Sequence, residues 1–215
     1  MHIVASIQAR LGSTRLPGKV LFHLGDRRVL QWCIDRTTAA EAVDETIVTT
    51  GNRPENDAIK RYCERADTAY SVGPEENLLA RHHAVAERTG CDLLVRITGD
   101  CPFVPCSEID RVVENHISTE SRYTSNSTKN MPTGTAVDVM DAGLLRELRT
   151  IGETHPVTLA RSNPKEWGTV LTDNPSWEDV SDAHIAVDTP KDYWSLQDAV
   201  DVNGDDPYQI AKWVA

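Results

Sequence analysis

No apolar run in this chain is long enough to cross a bilayer. Ile3–Ile7 also lacks the charged flank and apolar length of a secretory signal, so a cytoplasmic protein is expected. Basic charge is scarce: 22 lysines and arginines face 33 aspartates and glutamates, for a net charge of −11. That balance disfavours non-specific binding to nucleic acid or to anionic membranes. Lysine is the rarer base, six against sixteen arginines, and aspartate exceeds glutamate; a salt-adapted surface and an ordinary acidic enzyme both fit. The five cysteines (33, 63, 91, 101 and 106) are odd in number and scattered through periodic segments, which points to reduced thiols. Cys101 and Cys106 lack the second Cys/His pair of a zinc site. There is no internal repeat and no low-complexity tract.

What is present is alternation. Short apolar runs are separated by stretches of helical period, the pattern of an α/β domain with a mostly parallel sheet and covering helices. Strands are expected at His2–Ile7, Glu45–Thr50, Thr68–Ser71, Asp92–Thr98, Ala136–Met140, Gly168–Thr172 and His184–Val187. Helices are expected at Val29–Ala40, Glu55–Arg65, Glu75–Thr89, Ser107–Ile117, Ala142–Arg149, Glu153–Ser162, Pro190–Val200 and Pro207–Val214. Thr189 before Pro190 reads as a cap followed by proline at the first helical position. From Ser118 to Thr135 the pattern loosens into Ser/Thr/Asn-rich sequence. Residues 1–215 read as one domain, in which 118–140 would be a lid or an oligomerisation excursion.

The densest chemistry follows the first strand. Gln8-Ala-Arg-Leu-Gly-Ser-Thr-Arg-Leu-Pro-Gly-Lys19 gathers Arg10, Arg15, Lys19, Ser13, Thr14, Gly12 and Gly18 in one loop. Glycine lets backbone approach a ligand closely, successive N–H groups form anion-binding concavities, and arginine's planar fork matches phosphate oxygens. The loop is neither a P-loop nor a G-x-G-x-x-G fingerprint. It is equipped for a polyphosphate.

Two carboxylates stand just past later strands. Asp100, in Thr98-Gly99-Asp100-Cys101-Pro102, sits where open α/β sheets place ligands; it suits Mg²⁺, which takes one or two carboxylates plus phosphate oxygens, or a simple turn. Asp188, in Val187-Asp188-Thr189-Pro190, is either a second metal ligand or a partner for the next helix's positive end.

In this order and spacing, these segments resemble the cytidylyltransferase superfamily of nucleotide-sugar synthetases. They are most similar to its spore-coat polysaccharide biosynthesis (SpsF-like) type, and also to CMP-Kdo and CMP-sialic acid synthetases. Leu79-Ala-Arg81 and Val95-Arg-Ile-Thr-Gly-Asp-Cys-Pro102 carry the resemblance together with the N-terminal loop. It implies a three-layer αβα, Rossmann-like nucleotide-diphospho-sugar transferase fold. It further implies a nucleoside triphosphate, CTP by family, held by Ala9, Arg10, Gly12, Ser13, Arg15, Lys19, Thr98 and Gly99, with Thr49, Thr50 and Arg81 near base and ribose. Mg²⁺ would lie on Asp100 and Asp188, and Arg10, Arg15, Lys19 and Asp100 would serve the chemistry. Pro102, Asp138, Glu153 and His155 would face a sugar-type acceptor, and relatives are often homodimers. Where relatives carry Gly-Leu-Asp-Val-Glu, this chain has Gly134-Thr-Ala-Val-Asp138, so Ala136 and Asp138 mark an altered acceptor pocket.

The expected reaction is attack of an acceptor oxygen on the α-phosphate of CTP with loss of pyrophosphate, which needs positioning and charge neutralisation more than covalent chemistry. No residue stands out as a general base. A glycosyltransferase of the same fold type and a non-catalytic nucleotide-binding module are the alternatives. His82 and His83, adjacent on a helix, diverge by about 100°; one is expected to face the site and the other solvent. Trp167, Trp177, Trp194 and Trp213 are expected to pack the C-terminal elements.

Overall fold

The computed structural model describes residues 1–215. Its elements are, in order, β1 (Ile3–Gln8), a small hairpin of β2 (His23–Leu24) and β3 (Arg27–Arg28), α1 (Val29–Thr38), β4 (Glu45–Gly51), α2 (Asp57–Arg65), β5 (Ala69–Gly73), α3 (Leu78–Thr89), β6 (Leu93–Thr98), α4 (Cys106–Thr119), β7 (Tyr123–Ser125), β8 (Asp138–Asp141), α5 (Ala142–Thr150), α6 (Thr158–Ser162), β9 (Thr169–Leu171), α7 (Pro190–Asn203) and α8 (Pro207–Val214). Seven strands form one sheet in the order β5-β4-β1-β6-β8-β7-β9. All run the same way except β8, which is antiparallel to both β6 and β7.

The period of two along β1 builds the layers. Ile3, Ala5 and Ile7 pack with Leu30, Cys33 and Ile34 of α1, Ile59 of α2 and Val112 of α4. Val4, on the opposite face, packs with Leu79 and Val85 of α3 and Leu144 and Leu148 of α5. A third cluster joins Trp32, Phe103, Trp177, Val187, Leu196 and Ile210 beneath the C-terminal helices. The αβα expectation holds. Because β1 pairs with β4 on one side and β6 on the other, the chain reverses its direction of winding at β1, and open sheets bind ligands beyond such a point.

Four expectations need correction. His184–Val187 is no strand: only Thr133 and His184 form a single bridge, while Ile185, Ala186 and Val187 are all buried without alternation. This strap is pinned by Ile185 N to Thr133 O and Val187 N to Asp100 O, both 2.8 Å. The helix expected from Glu153 starts only at Thr158, since Gly152 has φ +86° and Pro156 disfavours helical backbone at His155. The loose stretch hides β7: its Ser and Thr side chains are buried through mutual hydrogen bonds such as Ser121 Oγ to Thr124 Oγ1 (2.5 Å), so no apolar alternation advertises it. Within 118–140, Met131, Thr135 and Val137 are buried too, while Ser118–Glu120, Ser127, Lys129 and Thr133 are exposed. Finally, Trp167 and Trp177 are buried, but Trp194 and Trp213 are exposed.

Candidate active site

The loop after β1 is folded by its own backbone. Leu11 N donates to Asn56 Oδ1 (2.9 Å), Ser13 N to Leu11 O (2.9 Å), and Gly18 N to the same carbonyl (3.0 Å). Gly18 has φ 78°, the left-handed turn that only glycine adopts freely, and it drives Lys19 inward. Lys19 is 6% exposed.

Both distant carboxylates meet that lysine. Lys19 Nζ lies 2.5 Å from Asp100 Oδ2 and 2.9 Å from Asp188 Oδ1. Arg15 reaches Asp188 Oδ1 at 2.8 Å, and His184 Nε2 lies 3.4 Å from Asp188 Oδ2. Burial alone would lower the Lys19 pKa, but Asp100 and Asp188 outweigh it and the pKa is raised. For Asp188, burial works against the charge and is overcome by Lys19, Arg15 and His184, which hold its carboxyl below the usual range. The site is therefore a charged cluster of opposite signs. Gly99 makes the approach possible: a Cβ there would sit 2.8 Å from Gln8 O.

These groups line a cavity of about 410 Å³. Of the residues singled out in the sequence, Ala9, Arg10, Ser13, Thr14, Arg15, Lys19, Arg81, Thr98, Asp100, His155 and Asp188 line it. The others do not. Gly12 is beside it, with a notional Cβ 3.9 Å from Glu75 Oε1. Thr49 and Thr50 are buried at the end of β4 with unpartnered hydroxyls. Gly99 supports the wall, and neither Pro102 nor Glu153 reaches the cavity. Gln8, Glu75, Glu76, Leu78 and Thr154 line it without having been singled out. The glutamates were hidden by helical periodicity: Asn77 caps α3 by accepting from Ala80 N at 2.7 Å, so Glu75 and Glu76 precede the helix instead of opening it.

Asp138 is fully buried and does not line the cavity. Its Oδ2 meets Arg96 NH1 at 2.5 Å; its Oδ1 accepts from Tyr123 OH at 2.6 Å and Arg161 NH2 at 2.7 Å. Burial would raise its pKa, yet Arg96 and Arg161 hold it at about 2. Arg96 Nε also donates to Gln8 Oε1 (2.8 Å), which connects this network to the cavity floor. His82, fully buried, bridges Ser6 Oγ (2.8 Å) and Gln8 Oε1 (3.3 Å); burial, Arg96 and Arg81 push its pKa well down. Neither histidine of the pair behaves as expected, because His82 stops short of the cavity and His83 is buried between Glu87 (3.3 Å) and Arg149 (3.1 Å). His155 has a lowered pKa, through burial and then Arg96 and Arg161, against Asp138.

Asp100 and Asp188 offer hard oxygen donors on one cationic position. Two carboxylates completed by phosphate oxygens and water fit a hard divalent ion. No protein-only cluster of three or more metal-ligating side chains exists anywhere in the chain.

The cationic loop thus lies at the reversal point of a mostly parallel sheet, where the two carboxylates meet it. The cytidylyltransferase family profile matches residues 4–199, and the chain belongs to that family. The spore coat polysaccharide biosynthesis protein SpsF of Bacillus subtilis is similar to it, with 29% identity over 215 residues covering 95% of this chain and 89% of the relative. A cytidylyltransferase from Leptospira borgpetersenii superposes with a TM-score of 0.90 at 23% identity, covering 100% of this chain and 92% of that one. A CMP:2-keto-3-deoxy-manno-octonic acid synthetase solved in complex with CTP superposes at 0.67 with 15% identity, covering 92% and 98%.

Proposed function

We propose that this chain transfers CMP from CTP to an oxygen of a sugar or sugar acid, releasing pyrophosphate, with Mg²⁺ as its metal and surface polysaccharide or glycan synthesis as its setting. The observation that carries the reading is the meeting of Lys19 with both Asp100 and Asp188, with Arg15 alongside. Charge on a triphosphate and on departing pyrophosphate needs cations placed in advance, and Arg10, Ser13, Arg15 and Lys19 line the same cavity. Held by Asp100 and Asp188, the metal would orient the attacking oxygen and polarise the α-phosphoryl group. Lys19 and Arg15 neutralise the carboxylates and phosphates together, so neither set of charges is left alone. Ala9, Gly12, Thr98 and Gly99 shape the backbone around the nucleotide.

On the acceptor side, His155 is a neutral hydrogen-bonding wall, and Asp138 acts through Arg96 and Gln8 rather than by contact. Pro102 and Glu153 stand outside the cavity lining, and this reading gives them no step. The test is pyrophosphate release across the nucleoside triphosphates and a panel of sugars and sugar acids. CTP with one acceptor class should give product, and Asp100→Ala should lower the rate by about a hundredfold or more. Full activity in that variant contradicts the assignment.

A further inference from the structure

The last residue of β1, Gln8, lines the cavity, and its side-chain oxygen is held from behind. Arg96 Nε donates to Gln8 Oε1 at 2.8 Å. A guanidinium only donates, so the atom facing it is the amide's oxygen and not its nitrogen. His82 Nε2 lies 3.3 Å from the same oxygen, so that ring nitrogen carries the proton and donates as well. His82 Nδ1 is then the acceptor, and the Ser6 hydroxyl donates to it at 2.8 Å. Ser6 and His82 are fully buried, and burial, with Arg96 and Arg81, disfavours a charged ring there.

Two donors thus fill Gln8 Oε1 and turn the amide nitrogen the other way. Gln8 Nε2 has no partner in the protein and, unlike the hydroxyls of Thr49 and Thr50, is not sealed off from solvent. It presents a fixed pair of N–H donors to the cavity. The wall beside it is neutral. Thr98 is the register partner of Gln8 across the ladder, which puts both side chains on one face of the sheet. His155 also lines the cavity, and its lowered pKa leaves it uncharged. The arginines behind this wall are engaged elsewhere, Arg96 with Gln8 and Asp138, Arg161 with Tyr123, Ser125 and Asp138. Neither of them lines the cavity.

We propose that Gln8 is a specificity-determining residue on the acceptor side, its amide NH₂ donating to a hydroxyl oxygen of the sugar. This rests on the nucleotidyl-transfer reading above. The triphosphate calls for the cations of the loop after β1, whereas a corner of amide, imidazole and threonine suits groups that carry no charge. Sugar hydroxyls are such groups. The amide meets one without reorienting, because Arg96 and His82 set its direction before the substrate arrives.

The experiment measures pyrophosphate release from CTP and MgCl₂ with neutral hexoses, uronic acids and 2-keto-3-deoxy acids as acceptors. Wild type, Gln8→Met and Gln8→Glu are compared, with melting temperatures confirming the fold. In Gln8→Met the KM of the acceptor that wild type uses should rise about tenfold, while the KM for CTP stays within about twofold. Gln8→Glu keeps one oxygen for Arg96 and His82 and offers the other to a hydroxyl, which can donate as well as accept. It should regain the acceptor KM to within about threefold of wild type. An unchanged acceptor KM in folded Gln8→Met, or an equal rise for CTP, overturns the proposal. A folded Gln8→Glu that loses as much as Gln8→Met overturns it too, since that marks a carboxylate or carbonyl at this place. Wild type that releases no pyrophosphate with any of these acceptors fails the reading beneath, and the proposal with it.

Discussion

A lone charge buried in a protein is unstable, and the residues of this site show two ways around that. Lys19 is held by the two carboxylates it meets. Asp138 is held by two arginines and a tyrosine. Its pKa of about 2, below the ordinary 3.8, ties stability to pH. The folded state keeps this carboxylate ionised where the unfolded chain would bind a proton, so its contribution is full above about pH 4 and lost as pH falls toward 2. Asp138→Asn should therefore destabilise the protein by about 3–5 kcal/mol at pH 7. The gap between variant and wild type should shrink by about 1 kcal/mol at pH 3, as read by urea unfolding. A gap that stays constant or widens contradicts the ionised assignment. At this scale the sequence was legible wherever chemistry sat in loops after strands, as with Arg10, Arg15, Lys19 and Asp100, and at Asp188 through the apolar run before it. It was not legible at Glu75, whose position mimics a helical turn, or at Asp138, whose burial depends on Arg96 and Arg161 arriving from elsewhere in the chain.

Among the elements, the strap at 183–188 is the one that sequence misjudged with most consequence. Its apolar run looks like a strand, but it is wedged between clusters and tied to β6's end by the bond from Val187 N to Asp100 O. That tie is what brings Asp188 opposite Asp100. Gly134 (φ +106°) supports the strap, since a Cβ there would lie 2.6 Å from Ala186 N and 2.7 Å from Ile185 C, backbone atoms with no room to yield. Gly134→Ala should cost more than about 2 kcal/mol of stability and weaken metal-dependent nucleotide binding through Asp188. Chemical denaturation and nucleotide titration of the same preparation measure both. Unchanged stability would show that the strap is free to move. By contrast, α7 matched its sequence signals closely: Thr189 and Asp192 form a reciprocal capping box with Pro190 at the first turn.

Over the whole molecule, a sheet that reverses its winding at β1 places the ends of β1 and β6 and the segment after β5 around one opening. The parallel sheet and its layers were legible because buried strands announce themselves as apolar runs. The antiparallel β8 and the polar β7 were less so, because strand direction and hydrogen-bonded burial leave no periodic trace. In a chain with an excess of eleven negative charges, this opening sets four cations (Arg10, Arg15, Lys19 and Arg81) against four carboxylates (Glu75, Glu76, Asp100 and Asp188). No helix is long and apolar enough to cross a membrane. The account turns on Asp100 and Asp188 serving one metal-bound triphosphate, and titration of CTP against Mg²⁺ concentration tests that most directly. Wild-type affinity should rise about tenfold or more with the metal, and the rise should vanish in Asp100→Asn and in Asp188→Asn. Metal-independent CTP binding by wild type, or a full response in both variants, would contradict it.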